Sequence, residues 1–375
     1  MHLSYAEVNL SRLKRNFLNI RKKIKRVKIM AVVKAEGYGH GIIETARLLE
    51  SLGEKKPEYF AVAFSDEAIE IRKAGIMQPI LIFEPFSKSQ VKDLFQYNFI
   101  ATVFNREHIR ILKEGAKKYS SNKSTGIKVH VKVNTGMNRL GIDYNKAEVF
   151  ITELSKDTQF IIDGIYTHFA VSEEKDKSFS KIQIKRFKQV LEKLKEKEIK
   201  YGLVHAANSG AILDLPESYF DMVRPGILLH GYYPSLETSE SIKLEPVMSL
   251  ISRVSSVSKI KKGETVGYGR KYTAKKETTI ISVPIGYADG FSRGLSNHAK
   301  GIINGKIYNQ IGTVSMDRIS FEIGNDKINV GDKVILLGKD KNNEISVWDW
   351  CKILNTIPFE VICGIRKRID RVYIK

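Results

Sequence analysis

Two cysteines and two tryptophans in 375 residues, and no apolar run approaching the ~20 residues that a membrane-spanning helix needs, narrow the field before any motif is read. Cys351 and Cys363 are too few for a disulfide framework, so free thiols in a cytoplasmic protein are expected. The opening Met1-His2-Leu3-Ser4-Tyr5-Ala6-Glu7 has no basic segment leading into an apolar one, and no secretory signal is expected from it. Repeats and low-complexity tracts are absent, and no metal is expected. Acid is scarce relative to base: 42 Asp and Glu against 62 Lys and Arg give a formal charge of +20. Such an excess suggests nucleic acid as a partner. The distribution argues otherwise, because runs such as Leu191-Glu192-Lys193-Leu194-Lys195-Glu196-Lys197-Glu198 mix both signs as a solvated helix face does. No basic stripe interleaved with aromatics appears. Neither nucleic acid nor membrane is expected as a partner, and the surplus charge favours small anions.

What is present is ordinary globular material, 42% hydrophobic and 28% charged, in a chain long enough for two domains. After an extended opening, Tyr5–Leu10, an apolar stripe at Leu13, Phe17, Ile20 and Ile24 predicts a helix. Eight short apolar runs follow: Val27–Lys34, Tyr59–Phe64, Pro79–Phe83, Phe99–Val103, Lys128–Asn134, Phe160–Phe169, Tyr201–Ala207 and Met222–Leu229. Helical patterns such as Asp66–Ala74 and Lys181–Lys197 lie between them. Strand and helix in alternation, eight times, predict an α/β fold with a (β/α)8 barrel over residues 1–240. Beyond Pro234-Ser235 the texture changes to short β-rich runs punctuated by glycine, which predicts a mostly β domain over 241–375.

A barrel of this kind does chemistry at the C-terminal ends of its strands. The first run ends on Lys34, followed by Ala35-Glu36-Gly37-Tyr38-Gly39-His40-Gly41. A lysine there is either a Schiff-base or general-base amine or simply the first solvated residue after the core. Other strand ends bring Lys132, Thr135-Gly136-Met137-Asn138-Arg139, Thr167-His168-Phe169, Ala207-Asn208-Ser209 and Arg224-Pro225-Gly226-Ile227 to the same mouth. The loops after strands seven and eight suit phosphate, through Asn208, Ser209, Gly226 and Ile227. An amine, a phosphate cradle and a pocket that admits an aromatic ring together point to pyridoxal 5'-phosphate.

With those residues in place, the chain resembles the alanine racemases of the pyridoxal-phosphate barrel family. The resemblance runs from the first helix to the C-terminus through an ordered set of motifs: Ala31-Val32-Val33-Lys34-Ala35-Glu36-Gly37-Tyr38-Gly39-His40-Gly41, Lys132-Val133-Asn134-Thr135-Gly136-Met137, Ala207-Asn208-Ser209, Val223-Arg224-Pro225-Gly226, Gly267-Tyr268-Gly269, Gly286-Tyr287-Ala288-Asp289-Gly290 and Met316-Asp317. It implies racemisation of alanine by two bases, in supply of D-alanine for peptidoglycan and the bacterial cell wall. Lys34 would hold the cofactor covalently and serve as one base. Tyr268 would be the other, since a single group on one face can only return the proton to where it came from.

The resemblance also implies supporting roles. Tyr38 and Ser209, with the Gly226 and Ile227 N–H groups, would bind the phosphate, and His168 would pack on the pyridine ring. Arg224 would face the ring nitrogen and leave it unprotonated, weakening the electron sink so that transamination and decarboxylation are suppressed. Arg139 would meet the substrate carboxylate. Lys132 is similar to a lysine that many members carry as a carbamate. Tyr268, Tyr287, Arg293 and Met316 would complete the partner subunit's site in a head-to-tail homodimer, with Phe359 at the entrance.

Four positions depart from the family pattern: Asn134 stands for an aspartate, Val171-Ser172-Glu173-Glu174 for an alanine-aspartate-glutamate run, and His230 and Phe359 for tyrosines. Phe359 lacks a phosphate donor. A racemase of serine or basic amino acids and a non-catalytic carrier of pyridoxal phosphate are the alternatives, the last disfavoured by the second domain.

Overall fold

The computed structural model describes residues 3–120 and 126–375. Met1 and His2, at the head of the segment read for a signal, lie outside them. Eight parallel strands close on one another: Lys28–Val32, Tyr59–Val62, Ile80–Ile82, Ile100–Val103, Ile127–Asn134, Phe160–Tyr166, Leu203–His205 and Met222–Val223. Met222 and Val223 pair with Lys28 and Ile29, which shuts the barrel. Each strand falls within one apolar run of the sequence or within a residue of it, and helices, Ser65–Lys73 and Ser178–Glu196 among them, cover the outside.

Several strands end before their apolar runs do, and the difference places the site. The ladder of the first strand stops at Val32, two residues short of Lys34. The last strand has only two residues, after which Arg224-Pro225-Gly226 leaves the sheet and Ile227–His230 forms a single tight helical turn. Pro225 has no N–H to give a ladder. It still accepts the Val32 N–H at 3.0 Å.

The second sheet has ten strands, antiparallel apart from one pair. Its hairpin Lys300–Ile303 to Lys306–Ile311 turns on Asn304 and Gly305, both at positive φ (50° and 79°), the conformation a tight two-residue turn demands. Phe321 and Trp350 are fully buried, and Phe291 meets Trp350 edge-on at 4.9 Å. Helices Val347–Leu354 and Pro358–Cys363 cover one side.

The opening strand corrects the expected division of the chain. Tyr5–Asn9, read with the 1–240 barrel unit, belongs to the second sheet, antiparallel to Met248–Arg253 and parallel to Asp370–Ile374. Its alternation explains why. Ala6 and Val8 are buried while Tyr5, Glu7 and Asn9 are half-exposed, a pattern suited to a sheet with one covered face, whereas most barrel strands bury consecutive residues. Ala6 packs in the core of the second domain and Val8 in that of the barrel, so this strand is a seam. Asn9 then caps helix Leu10–Ile24 by accepting the Arg12 N–H at 2.9 Å. Inside that helix, Asn16 holds the interdomain connection, donating to Glu245 O and accepting from Glu245 N, both at 2.8 Å.

Among the described residues no helix is long and apolar enough to cross a membrane. A charge at the seam has no partner and no water, so Ala6→Asp is expected to cost about 3 kcal/mol or more, with both domains losing stability. Urea unfolding followed by tryptophan fluorescence (Trp348 and Trp350 in the second domain) and by far-UV circular dichroism checks this.

Candidate active site

The first barrel strand delivers its lysine through an unusual turn. Ala35, Glu36, Gly37 and Tyr38 all adopt left-handed backbone angles, with φ of 53°, 57°, 58° and 53°. Left-handed residues other than glycine cost roughly 1–2 kcal/mol each. The surroundings hold the turn in place. The Glu67 carboxylate accepts the Ala35 N–H at 2.6 Å and the Ala63 N–H at 2.7 Å. From the second domain, Arg371 Nε donates to Gly39 O at 2.9 Å and Lys367 pairs with Glu36 at 2.8 Å. Gly39 must be glycine, since a Cβ would lie 2.3 Å from Ile362 O in a backbone already at φ 80°. Strain concentrated in this way is typical of functional sites. Its effect is to aim Lys34 and Tyr38 into the same space.

That space is a cavity of about 400 Å³ at the C-terminal mouth of the barrel. Lys34, Tyr38, Lys132, Arg139, His168, Asn208, Ser209, Arg224, Gly226 and Phe359 all line it, which brings together nearly every barrel residue singled out from the sequence. Ile227 is fully buried one residue beyond Gly226. At one end the Ser209 hydroxyl accepts the Gly226 N–H at 3.2 Å, and a Cβ on Gly226 would lie 2.2 Å from the Tyr38 hydroxyl. Small polar groups and a closely approached backbone therefore meet there. Burial pushes the Tyr38 pKa up, which keeps its hydroxyl a donor.

The floor is Arg224. It is fully enclosed and its donors meet acceptors at the ends of two neighbouring strands: Thr167 O at 2.8 Å, Ala206 O at 2.9 Å, His205 Nδ1 at 2.8 Å and His168 Nδ1 at 3.1 Å. Burial lowers its pKa to about 10, so the guanidinium is still charged at neutral pH. Burial, then the nearby Arg224, Lys132, Arg139 and Lys34 cations, hold His168 neutral. Lys132 is buried above Tyr166, its Nζ 5.7 Å from the ring centroid. Burial first, then Arg139 and Arg224, bring its pKa down to about 8, with Glu84 opposing.

Sequence reasoning missed several members of the site. Tyr166 stacks flat on His205 (4.9 Å, 5° between planes) and donates to or accepts from Thr102 Oγ1 at 3.0 Å. It lies two residues before His168, so alternation along the sixth strand could have found it. Glu84 and Glu173 line the walls. Glu67 carried no motif signal at all, since it acts on backbone N–H groups alone.

The departures from the family pattern have local explanations. Asn134 accepts the Gly136 and Asn138 N–H groups at 3.1 and 3.0 Å, as an aspartate would, and its amide also donates to Asn138 Oδ1 at 2.9 Å. Ser172 donates to Asn208 Oδ1 at 2.7 Å, which steadies the wall beside Ser209. His230 stacks on His40 at 4.2 Å, behind Tyr38. Phe359 faces Tyr38 with ring centroids 6.1 Å apart.

Four expected site residues of the second domain lie outside this cavity. Tyr268 is 75% exposed and Met316 52% exposed on the second domain, with Tyr287 and Arg293 lining a separate depression there. They are nevertheless well held. Tyr268 O accepts the Thr313 hydroxyl at 2.7 Å in a turn flanked by Gly267 and Gly269, both at φ 72°. The loop of Tyr287 is locked to that of Met316, with Tyr287 N donating to Ser315 O and Ala288 N to Met316 O, both at 3.1 Å.

Comparison with known proteins agrees along the whole chain. The family model for the alanine racemase N-terminal domain matches residues 8–234, and that for the alanine racemase C-terminal domain matches residues 247–373. The alanine racemase of Carboxydothermus hydrogenoformans is 40% identical over 372 residues, 99% of either chain. Alanine racemase 1 of Clostridium acetobutylicum is 38% identical, over 99% of this chain and 95% of its own. The solved alanine racemase of Clostridium difficile superposes with a TM-score of 0.93 at 37% identity, covering 99% of this chain and 95% of that one. Fold, barrel mouth and sequence thus converge, and the chain belongs to the alanine racemase family.

Proposed function

We propose that the barrel mouth binds pyridoxal 5'-phosphate and interconverts L- and D-alanine, with Lys34 of one subunit and Tyr268 of its partner as the two proton carriers. The observation that carries this reading is the convergence of an amine, an anion cradle and a buried guanidinium in one cavity. Those groups fit the cofactor's aldehyde, phosphate and ring nitrogen. When bound, the pyridine ring supplies a conjugated system that accepts the electrons of the substrate Cα–H bond.

The chain's own residues do the rest. Lys34 Nζ would hold the cofactor and, as a free amine, would give or take the proton at one face of Cα. Tyr268 does so at the other face, removing the α-proton of L-alanine while Lys34 returns one. Arg139 orients the substrate carboxylate. Tyr38, Ser209 and Gly226 hold the phosphate. Arg224, charged and surrounded by acceptors, places a cation against the ring nitrogen and discourages its protonation. D-Alanine made this way would serve bacterial peptidoglycan.

The second carrier comes from another subunit in this reading because the barrel mouth of one chain lacks Tyr268, and Tyr268, Tyr287 and Met316 stand exposed on a rigid surface. A head-to-tail homodimer would cover both at once. Mixed subunits test it. Lys34→Ala and Tyr268→Phe should each be nearly inactive alone, yet after unfolding and refolding together about a quarter of the wild-type rate should return, from mixed dimers with one intact site of two. No recovery in a mixture shown to contain mixed dimers would place both groups in the same subunit or remove one from the chemistry.

Lys132 takes up carbon dioxide in the same reading. Its neutral amine forms an N–C bond and releases a proton, and the resulting anion sits against Arg139 in place of a cation. As pH rises through about 8 the amine loses its proton, so uptake of label from 13C-bicarbonate should increase across that range. A carbamate signal in 13C spectra that is absent from Lys132→Arg is expected; an identical signal in both proteins would assign the modification elsewhere.

A further inference from the structure

Behind Arg224 the barrel interior holds a chain of polar groups that the proposed chemistry does not use. Arg224 Nη1 lies 2.8 Å from His205 Nδ1, and His205 Nε2 lies 2.9 Å from His130 Nδ1. His130 Nε2 then lies 3.3 Å from Asp163 Oδ2. The Asp163 carboxylate also accepts the Tyr59 hydroxyl at 3.1 Å and pairs with Lys128 at 3.5 Å. Tyr59 opens its strand and Lys128 is the second residue of its own, so the chain runs from the catalytic mouth to the opposite, N-terminal end of the barrel.

The chemistry of these groups gives the chain one direction. A guanidinium only donates, so His205 Nδ1 must be the acceptor. A neutral His205 then carries its proton on Nε2 and gives it to His130 Nδ1. His130 in turn carries its proton on Nε2 and gives it to the carboxylate. Each tautomer is set by the partner before it, with a fixed cation at one end and an anion at the other. A second proton on His130 would point N–H at N–H.

The surrounding structure is shaped to this arrangement. Both imidazoles are fully buried. A Cβ at Gly164, on the neighbouring strand, would lie 2.7 Å from the His130 ring, and the pairing of those strands shifts register between Val129 and His130 to admit it. Tyr166 stacks flat on His205 and sets the plane of its ring. Burial, then the Arg224 cation, holds His205 well below the ordinary histidine range. Burial would raise Asp163, but the hydrogen bond from His130, the Lys128 cation and the Tyr59 hydroxyl leave it lower than usual.

We propose that Asp163 is a positioning residue for the reaction: through His130 and His205 it fixes the acceptor that faces Arg224, and so fixes the guanidinium that would meet the cofactor's ring nitrogen. This deepens the reading of the cavity as a pyridoxal phosphate site and rests on it. Losing the carboxylate frees His130 to turn over its tautomer, His205 follows, and an N–H then faces the guanidinium. Arg224 is displaced, the ring nitrogen gains access to a proton, and misplaced reprotonation increases.

The test uses the full-length protein labelled with 15N in its histidine rings, before and after loading with pyridoxal phosphate. Uptake of the cofactor is measured first, so a failure of the site reading shows as no uptake, separately from the ring spectra and the product ratio. Wild-type His130 and His205 should both give the neutral Nε2–H pattern in either state. Asp163→Asn should lose that pattern at both rings, and the ratio of aminated cofactor formed to alanine racemised should rise roughly tenfold, which corresponds to about 1.4 kcal/mol between the two barriers. Tyr59→Phe, which leaves the His130 bond in place, should keep both properties. A charged imidazole or an Nδ1–H tautomer at either ring of the wild type overturns the proposal without any variant. So does an unchanged product ratio in a folded, cofactor-loaded Asp163→Asn protein.

Discussion

Positive charge crowded into a buried cavity is the constraint on which this molecule turns. Lys34, Lys132, Arg139 and Arg224 line one space at the barrel mouth, and Arg224 and Lys132 are almost wholly removed from water. Burial itself disfavours each charge and neighbouring cations add repulsion, so burial first, then Arg139 and Arg224, bring the Lys132 pKa down to about 8. Such a cluster calls for anions. In the proposed reading a phosphate, a substrate carboxylate and a carbamate would each meet part of that demand. The protein supplies the remainder itself, as lone pairs: two carbonyls and two neutral imidazoles around Arg224. The site is therefore organised by the same imbalance that would suit it to a phosphorylated cofactor and an amino acid, as proposed.

The two domains serve this cavity in different ways. The barrel supplies converging strand ends, and because its ladders stop early, Lys34 and Arg224 sit on irregular backbone free to turn toward the centre. The second domain braces the left-handed turn after Lys34 through Arg371, Lys367 and the close approach of Ile362 to Gly39. It also carries Tyr268 away from its own chain's cavity, on a turn rigid enough to present it elsewhere. The opening strand binds the two domains together by lending one buried residue to each core. A lysine delivered by a strained turn needs such bracing, since each left-handed residue would relax if its neighbours withdrew.

Much of this was legible in the sequence because apolar runs and glycine-rich turns are local signals. All eight barrel strands fell within or beside predicted runs, and the nine site residues expected at or just beyond strand ends, Lys34 to Gly226, line one cavity with Phe359 of the second domain. What escaped depends on contacts between distant segments. The partner of Tyr5–Asn9 is set by Met248–Arg253 and Asp370–Ile374, hundreds of residues away, and only the alternation of Ala6 and Val8 hinted that the strand faced solvent on one side. Glu67 works through backbone N–H groups that any sequence would provide. His130, His205 and Asp163 lie on three strands, and Gly164, which makes room for them, reads in isolation as a weak point in a strand.

The central claim is that this cavity exchanges the α-proton of alanine. The most direct measurement is incubation of the pyridoxal-phosphate-loaded protein with L-alanine in heavy water, following the α-proton signal by NMR and the optical rotation together. The account predicts that the α-proton signal disappears and the rotation decays to zero, leaving equal amounts of the two enantiomers. A protein that binds the cofactor and leaves both signals unchanged would contradict it.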